Sequence, residues 1–267
     1  MVYPLGQTGI NISPLGLGTV KFGRNVGVKY PQQFELPTDE HIKNLLACAR
    51  DCGVNLLDTA PAYGTSETRL GQCWQGARDE WVLVSKAGEE FIDEHSTFDF
   101  SAEHFTLSVE RSLQCLKTDY LDVLLVHSDG RDQAIIEHDQ VFETLAKLKK
   151  AGKIRAYGMS TKTVEGGVQT VEQADVVMVT YNPTHTEERA VIDAAHQHNK
   201  GVLIKKGFAS GHIDTIGGQD PIQAACDFIF ACSGVSSIVA GTLSLEHLQH
   251  NAQCAVKASA THPGSLQ

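Results

Sequence analysis

Tyr120-Leu-Asp-Val-Leu-Leu-Val126 stands ahead of an amphipathic run over Gln140 to Lys150, and that run is followed by Ile154-Arg-Ala-Tyr-Gly-Met159. The first stretch contains the continuous aliphatic run Val123 to Val126. A strand with one wet face alternates apolar and polar residues, whereas a continuous apolar run is what a parallel sheet buried on both faces requires. The segment therefore reads as a strand, a helix and the strand of the next unit.

The same alternation extends in both directions. Upstream, Leu15 to Thr19 precedes Asp39 to Cys52, Val54 to Asp58 precedes Glu67 to Trp74, and Trp81 to Ser85 precedes Ala102 to Leu116. Downstream, Ile154 to Met159 precedes Val164 to Gln173, and Val176 to Thr180 precedes Glu187 to His198. Val202 to Ile204 then precedes Ile222 to Cys232, and Ser237 to Ala240 precedes Leu245 to Val256. Eight strand-helix units match the count of an α/β (β/α)8 TIM barrel. A doubly wound open sheet competes, but Gly16-Leu17-Gly18 lacks the third glycine and the helix of its dinucleotide fingerprint. Ahead of the barrel, Val2 to Leu5 and Ile10 to Ser13 flank Gly6 and Thr8-Gly9, the pattern of an N-terminal β-hairpin. No composition break marks a second domain, so residues 1–267 are expected to form one. The last dozen residues, with Pro263 and Gly264, are expected to be a loose tail.

A chain of 267 residues with 42% apolar content can bury a large core. Its net charge of −10, with 22 scattered Lys and Arg, argues against nucleic acid as a partner. No stretch approaches the roughly 20 apolar residues that span a bilayer, and Met1 to Ile10 lacks the pattern of a signal peptide. The expectation is a cytoplasmic protein without a membrane partner. Seven cysteines without a CxxC pair suggest neither a disulfide framework nor a zinc site. Cys48 and Cys52, four apart on a helix, read as packing residues in a reducing compartment.

Reactive groups in such a barrel sit at the carboxyl ends of its strands. There the chain places Asp58, with Tyr63 just beyond it, Lys86 and His127. Each alone reads as a loop hydrogen-bonder, a packing aromatic, a solvated strand end or a core histidine. Together they suit proton donation to a carbonyl oxygen. A free tyrosine titrates near ~10, too high for an efficient acid at neutral pH, and a neighbouring ammonium lowers that value. Lys86 is expected to tune Tyr63, Asp58 to hold Lys86, and His127 to orient the substrate oxygen. None of these groups donates a hydride, and with no flavin or metal signature visible a nicotinamide cofactor is the natural source.

These residues resemble those of the aldo-keto reductases. Leu5 to Thr19 is similar to the family's opening, Asn55-Leu-Leu-Asp-Thr-Ala-Pro-Ala-Tyr-Gly64 to its Asp and Tyr motif, and Lys86 and His127 to the rest of its tetrad. Gly152 to Ser160, Tyr181-Asn182-Pro183 and Gly241 to Asn251 continue the resemblance in order. It implies a cofactor extended across the mouth, with Thr19, Val20 and Asp58 near the nicotinamide ribose and Ser160-Thr161 at the carboxamide. Gly241, Thr242, Ser244, His247 and Asn251 would meet the adenosine phosphates and adenine, with Ser244 capping the last helix. Met178, Lys205, Lys206, Phe208 and Ser210 complete the expected cofactor wall. The chain departs from the pattern at Thr161 (usually Asn), Met178 (usually Gln), Lys205 (usually a stacking aromatic) and Leu243 (often basic). The family's habit implies NADP(H). Leu243 weakens that choice relative to NAD(H), because a buried dianion favours a bidentate cation.

Specificity is expected from loops Lys21 to Pro37, Glu89 to Phe100 and Ser128 to Asp139. Their charges, Glu89, Glu90 and Asp132 among them, read as a solvated face, with Phe22, Tyr30 and Phe91 as apolar walls. The short C-terminus favours small aldehydes, ketoses or sugar lactols as substrate. The oligomeric state is left open. Two rival readings are a metal-dependent barrel hydrolase or isomerase, for which only His127 is well placed, and a catalytically idle nucleotide-binding sensor or partner subunit of the same fold.

Overall fold

The structure, a computed structural model, describes residues 1–28, 30–74, 76–212 and 220–261. The chain opens with strands β1 (Tyr3–Pro4) and β2 (Asn11–Ile12), paired antiparallel as the expected hairpin. Barrel strands follow as β3 (Leu15–Gly18), β4 (Leu56–Asp58) and β5 (Val82–Ala87). A second antiparallel hairpin, β6 (Glu89–Ile92) with β7 (His95–Phe98), interrupts them. The barrel resumes with β8 (Leu121–His127), β9 (Ile154–Ser160), β10 (Val176–Thr180), β11 (Gly201–Lys205) and β12 (Ser237–Ala240). These eight strands are parallel and close on themselves through the pairing of β12 with β3, which makes the expected (β/α)8 barrel.

Helices α1 (Val20–Gly23), α2 (Asp39–Asp51), α3 (Ser66–Cys73), α4 (Ala102–Leu116) and α5 (Asp132–Glu137) lie in the first half. The second half carries α6 (Val141–Lys150), α7 (Val164–Gln173), α8 (Arg189–Gln197), α9 (Pro221–Phe230) and α10 (Leu245–Thr261). Serine and threonine set several starts. Thr38, Ser101 and Thr163 each accept a hydrogen bond from the backbone N–H three residues on, satisfying a donor that the first turn leaves free.

The two apolar layers explain the continuous runs. Leu56, Val82, Val84, Val123, Leu125, Val176, Met178 and Leu203 face the barrel interior, where Leu5, Ile10 and Ile12 of the opening hairpin close its floor. Their neighbours Leu57, Leu83, Leu124, Val126, Val177, Val202 and Ile204 face outward onto the helices. Because both sets are buried, successive residues are apolar, although the pleat sends them to opposite faces.

Several expectations needed correction. The stretch Glu89 to Phe100, expected as a loop, is largely the β6–β7 hairpin, and Ser128 to Asp139 contains α5. The last helix runs to Thr261, so residues 256–261 of the expected tail are helical; Pro263 and Gly264 lie outside the described residues. Phe22 is fully buried in the core between barrel and helices and is not a pocket wall. All seven cysteines are free, and Cys48 and Cys52 pack against the core as expected. Among the described residues no helix is long and apolar enough to cross a membrane.

Candidate active site

The pleat that builds the interior also delivers the site. Asp58 continues the inward register of Leu56, Lys86 that of Val82 and Val84, and His127 that of Val123 and Leu125. Ser160, Thr180 and Lys205 top β9, β10 and β11 in the same way, with Met178 one inward position below Thr180. The interior packing thus stops at a ring of polar groups around the mouth. Tyr63 reaches that ring from a 3₁₀ turn, Pro61–Tyr63. Gly64, at φ 62°, and Gly23 hold this turn against α1: an added Cβ at Gly64 would lie 2.3 Å from the Gly23 carbonyl oxygen, and one at Gly23 would lie 2.5 Å from the Tyr63 carbonyl oxygen. Only glycine permits that approach.

Lys86 Nζ donates to Asp58 Oδ1 at 2.5 Å and to the Thr59 carbonyl at 3.1 Å. It also lies 4.8 Å from the centroid of the Tyr63 ring. Burial alone would strip Lys86 of its proton, but Asp58 and Tyr63 outweigh it and raise its pKa, so it is held as an ammonium. For Tyr63 the order of effects differs from expectation. Burial pushes the phenol up and Lys86 pulls it back only in part, so its pKa ends raised, not lowered. The arrangement keeps Tyr63 protonated and places a cation where a phenolate would form.

His127 packs edge-on to Tyr63, with ring centroids 6.1 Å apart. Its imidazole is held neutral, well below the usual range, first by burial and then by Lys86, Lys205 and Lys162. Its Nδ1 lies 3.0 Å from Glu89 Oε2, without the alignment of a hydrogen bond. Glu89 was expected on a solvated face. The hairpin instead folds it over the mouth, where Ser96 Oγ donates to it at 2.7 Å and Arg24 approaches to 3.8 Å. Glu90 is likewise drawn in, by Arg111 and His104, and Asp132 is buried. Asp132 accepts from the backbone N–H of Lys162 and Thr163 at 2.8 and 2.7 Å. Charges flanking a barrel mouth are paired across loops, and spacing along one loop does not reveal the partner.

Phe91 is covered by the Arg24 guanidinium, 3.5 Å from its ring centroid, so it backs a charged wall. Tyr30 does border the site; burial first, then Tyr63 and Asp58, push its phenol up. Lys21 Nζ lies 4.0 Å over its ring.

The mouth opens on a cavity of about 1340 Å³. Thr19, Val20, Asp58, Tyr63, Lys86, His127, Ser160, Thr161 and Met178 line it, and so do Lys205, Lys206, Phe208, Ser210, Gly241, Thr242, His247 and Asn251. Ser244 sits behind the wall as the expected cap of α10, its Oγ accepting from the His247 N–H at 3.2 Å. Thr19 is locked from both sides: its N–H and hydroxyl both donate to the Asp58 carbonyl at 2.9 Å, and Ser66 Oγ donates to its carbonyl. The cavity wall includes both Tyr63 and, beside the start of α10, Thr242 and His247; an added Cβ on Gly241 would lie 3.1 Å from Tyr30 Oη, another wall residue. A cavity of this volume, with mixed polar and apolar walls and one end at the start of a helix, fits a phosphate-bearing dinucleotide. Near the same end, Asp220, His250 and Cys254 bring one ligand atom each within 4.8 Å of one another. Asp220 Oδ1 accepts from the Gln223 N–H and lies 3.2 Å from His250 Nε2, so this group already caps α9.

Comparison with known proteins places these observations. The aldo/keto reductase family model matches residues 14–220. A crystal structure from Pseudomonas aeruginosa, assigned to the aldo-keto reductases, is 50% identical, with a TM-score of 0.88 over 97% of this chain and 96% of that one. An uncharacterised oxidoreductase of Bacillus subtilis is 24% identical over 94% of this chain and 90% of its own length. The NADH-specific methylglyoxal reductase of Escherichia coli is 32% identical over 58% of this chain and half (50%) of its own length. The chain belongs to the aldo/keto reductase family, a family of oxidoreductases that generally use nicotinamide cofactors.

Proposed function

We propose that the protein transfers a hydride between a nicotinamide cofactor and a small carbonyl substrate, with Tyr63 as the general acid. The observation that carries this reading is the Asp58–Lys86 pair set beneath Tyr63 at the closed end of the cavity. When bound, reduced nicotinamide supplies the hydride. Thr19, Val20, Ser160, Thr161 and Met178 would hold its nicotinamide half. Lys206, Phe208, Ser210, Gly241, Thr242, Ser244, His247 and Asn251 would hold the remainder.

The neutral His127 ring hydrogen-bonds the carbonyl oxygen and orients it toward Tyr63. As negative charge grows on that oxygen, Tyr63 Oη gives up its proton. Lys86 stabilises the phenolate that remains, and Asp58 keeps Lys86 charged and in place. Lys86 is buried and Tyr63 half-buried, which limits the access of water to the pair and strengthens these interactions.

The cofactor is NADP(H) by the habit of the family, with NAD(H) as the alternative. Leu243, whose carbonyl lies 2.6 Å from His41 Nε2, brings no cation to an adenosine phosphate. The substrate is a small aldehyde, ketose or sugar lactol. Glu89, Arg24 and Lys162 offer hydrogen bonds to hydroxyls beside His127. Among the relatives are the L-galactose dehydrogenase of Arabidopsis thaliana and the D-threo-aldose 1-dehydrogenase of a Pseudomonas.

The test is nicotinamide absorbance with purified protein, either reduced nucleotide and a panel of small aldehydes and sugars. Turnover that falls about a hundredfold or more in Tyr63→Phe supports the reading. Tight nucleotide binding without turnover on any carbonyl favours an idle nucleotide sensor instead, and failure to bind either nucleotide overturns the assignment.

A further inference from the structure

Lys205 is the last residue of β11 and stands in the inward register above Leu203, at the wall of the cavity. Its Nζ donates to Ser160 Oγ at 2.9 Å and to the Thr161 carbonyl at 2.5 Å. Ser160 and Thr161 are among the residues to which the proposed function assigns the nicotinamide half of the cofactor, and the family resemblance implies that they meet its carboxamide. An amine bonded to both therefore stands beside the ring that they would hold. Among the described residues no carboxylate neutralises it by direct contact. Glu188, its nearest counter-charge by effect, is occupied in accepting from the Thr161 hydroxyl at 3.3 Å and the Thr180 N–H at 2.7 Å.

We propose that Lys205 makes the site discriminate between the redox states of its cofactor, disfavouring the oxidised nicotinamide relative to the reduced one. The physical reason is charge. Oxidised nicotinamide carries a positive ring and reduced nicotinamide a neutral one. A fixed ammonium at short range repels only the former, and at a half-buried position the repulsion exceeds its value in bulk water because the effective dielectric is lower. An aromatic at this position, as the family pattern usually has, would lack that bias. The consequence is directional: the site captures reduced nucleotide and expels the oxidised product, which favours carbonyl reduction. This inference rests on the proposed nicotinamide reading.

Lys205 is also set to lose its charge within the working pH range. Burial, opposed by Glu188 and Asp132 and reinforced by Lys206 and Lys162, pushes its pKa down to about 8. Asp58 and His127 also feel its charge, from β4 and β8. As pH rises through that value the ammonium becomes an amine, and the bias against oxidised nucleotide fades.

The experiment is equilibrium binding of NADP+ and NADPH, and of NAD+ and NADH, followed by quenching of tryptophan fluorescence. It compares the wild type, Lys205→Met and Lys205→Arg between pH 6.5 and 9.5. The ratio of Kd for the oxidised form to Kd for the reduced form is expected to be about tenfold or more higher in the wild type than in Lys205→Met at pH 7. It should fall with pH in the wild type, stay flat in Lys205→Met and stay high in Lys205→Arg, whose charge does not titrate. Equal ratios in wild type and Lys205→Met, with both nucleotides bound, overturn the proposal and leave the nicotinamide reading intact. If Lys205→Met does not fold, a wild-type ratio flat across the pH range overturns it. Failure of the wild type to bind any of the four nucleotides removes the nicotinamide reading itself.

Discussion

At the scale of single residues, the site depends on an ammonium and a carboxylate that are both buried. Removing one partner leaves the other charge without compensation, which costs about 3–5 kcal/mol in a buried pair. Lys86→Met is therefore expected to lower stability by about that much, and also to lower kcat about a hundredfold or more. In the double variant Asp58→Asn, Lys86→Met, denaturant unfolding should recover most of the stability, while kcat should remain low because no cation faces Tyr63. Recovery of both would show that Lys86 acts only through packing. The clustering of Asp58, Tyr63, Lys86 and His127 was legible in the sequence because each strand-borne member is the first ionisable residue after an apolar run. The sign of the Tyr63 shift was not, since it turns on how far burial outweighs Lys86, which depends on the packing around the phenol and not on its neighbours in sequence. Glu89 was missed for the same reason: in sequence it is one acid among several.

At the scale of elements, two connections set the geometry of the mouth. The contact between α1 and the Pro61–Tyr63 turn requires glycine on both sides. Gly64→Ala combines a positive φ with a Cβ 2.3 Å from the Gly23 carbonyl, so the turn must shift. A φ of 62° with ψ of −119° is a sparsely populated backbone for any residue with a Cβ and alone costs about 1–3 kcal/mol. The expected outcome is a lower unfolding midpoint together with a kcat loss, whereas a substitution at Gly152, whose Cβ would meet nothing within 4 Å, should change stability alone. Asp132, at the start of α5, ties that helix to the loop after β9 through the N–H groups of Lys162 and Thr163 and the Thr163 hydroxyl. Asp132→Ala leaves these donors unsatisfied, at about 1–3 kcal/mol for each one that water cannot reach. Denaturant unfolding would register that loss, and weaker nucleotide binding should accompany it because Thr161 and Lys162 line the cavity. Helices Ala102–Leu116 and Val164–Gln173 matched expectation to the residue because their caps and periods agree. The β6–β7 hairpin was not anticipated because its residues are mostly polar and carry no apolar alternation.

For the molecule as a whole, stability should depend on pH through a carboxyl that the proposed reaction does not use. Glu67 is sealed between α3, β5 and α4, where Ser85 and Ser112 donate to it at 2.6 and 3.0 Å. Burial pushes its pKa up to about 7 from 4.5. A carboxyl raised on folding contributes stability that is fully present below its unfolded value and lost as pH rises through the folded one. The loss spans pH 4.5 to about 7 and amounts to about 3 kcal/mol. Glu67→Gln, which is neutral at every pH, should therefore gain in Tm relative to the wild type as pH is raised from about 5 to about 8; a constant difference would show that Glu67 titrates normally. The sequence alone determined the barrel, the hairpin at its floor and the identity of the inward-facing polar residues. Those follow from local propensity and from the strand period of two, which fixes the face of each side chain once one is known to be buried. Only the tertiary structure decided which charges meet, as with Lys205 and Ser160, Glu89 and His127, and Arg24 and Phe91, and how far burial displaces each titration. Those are distances between residues remote in the chain, set by loops that have no period to read.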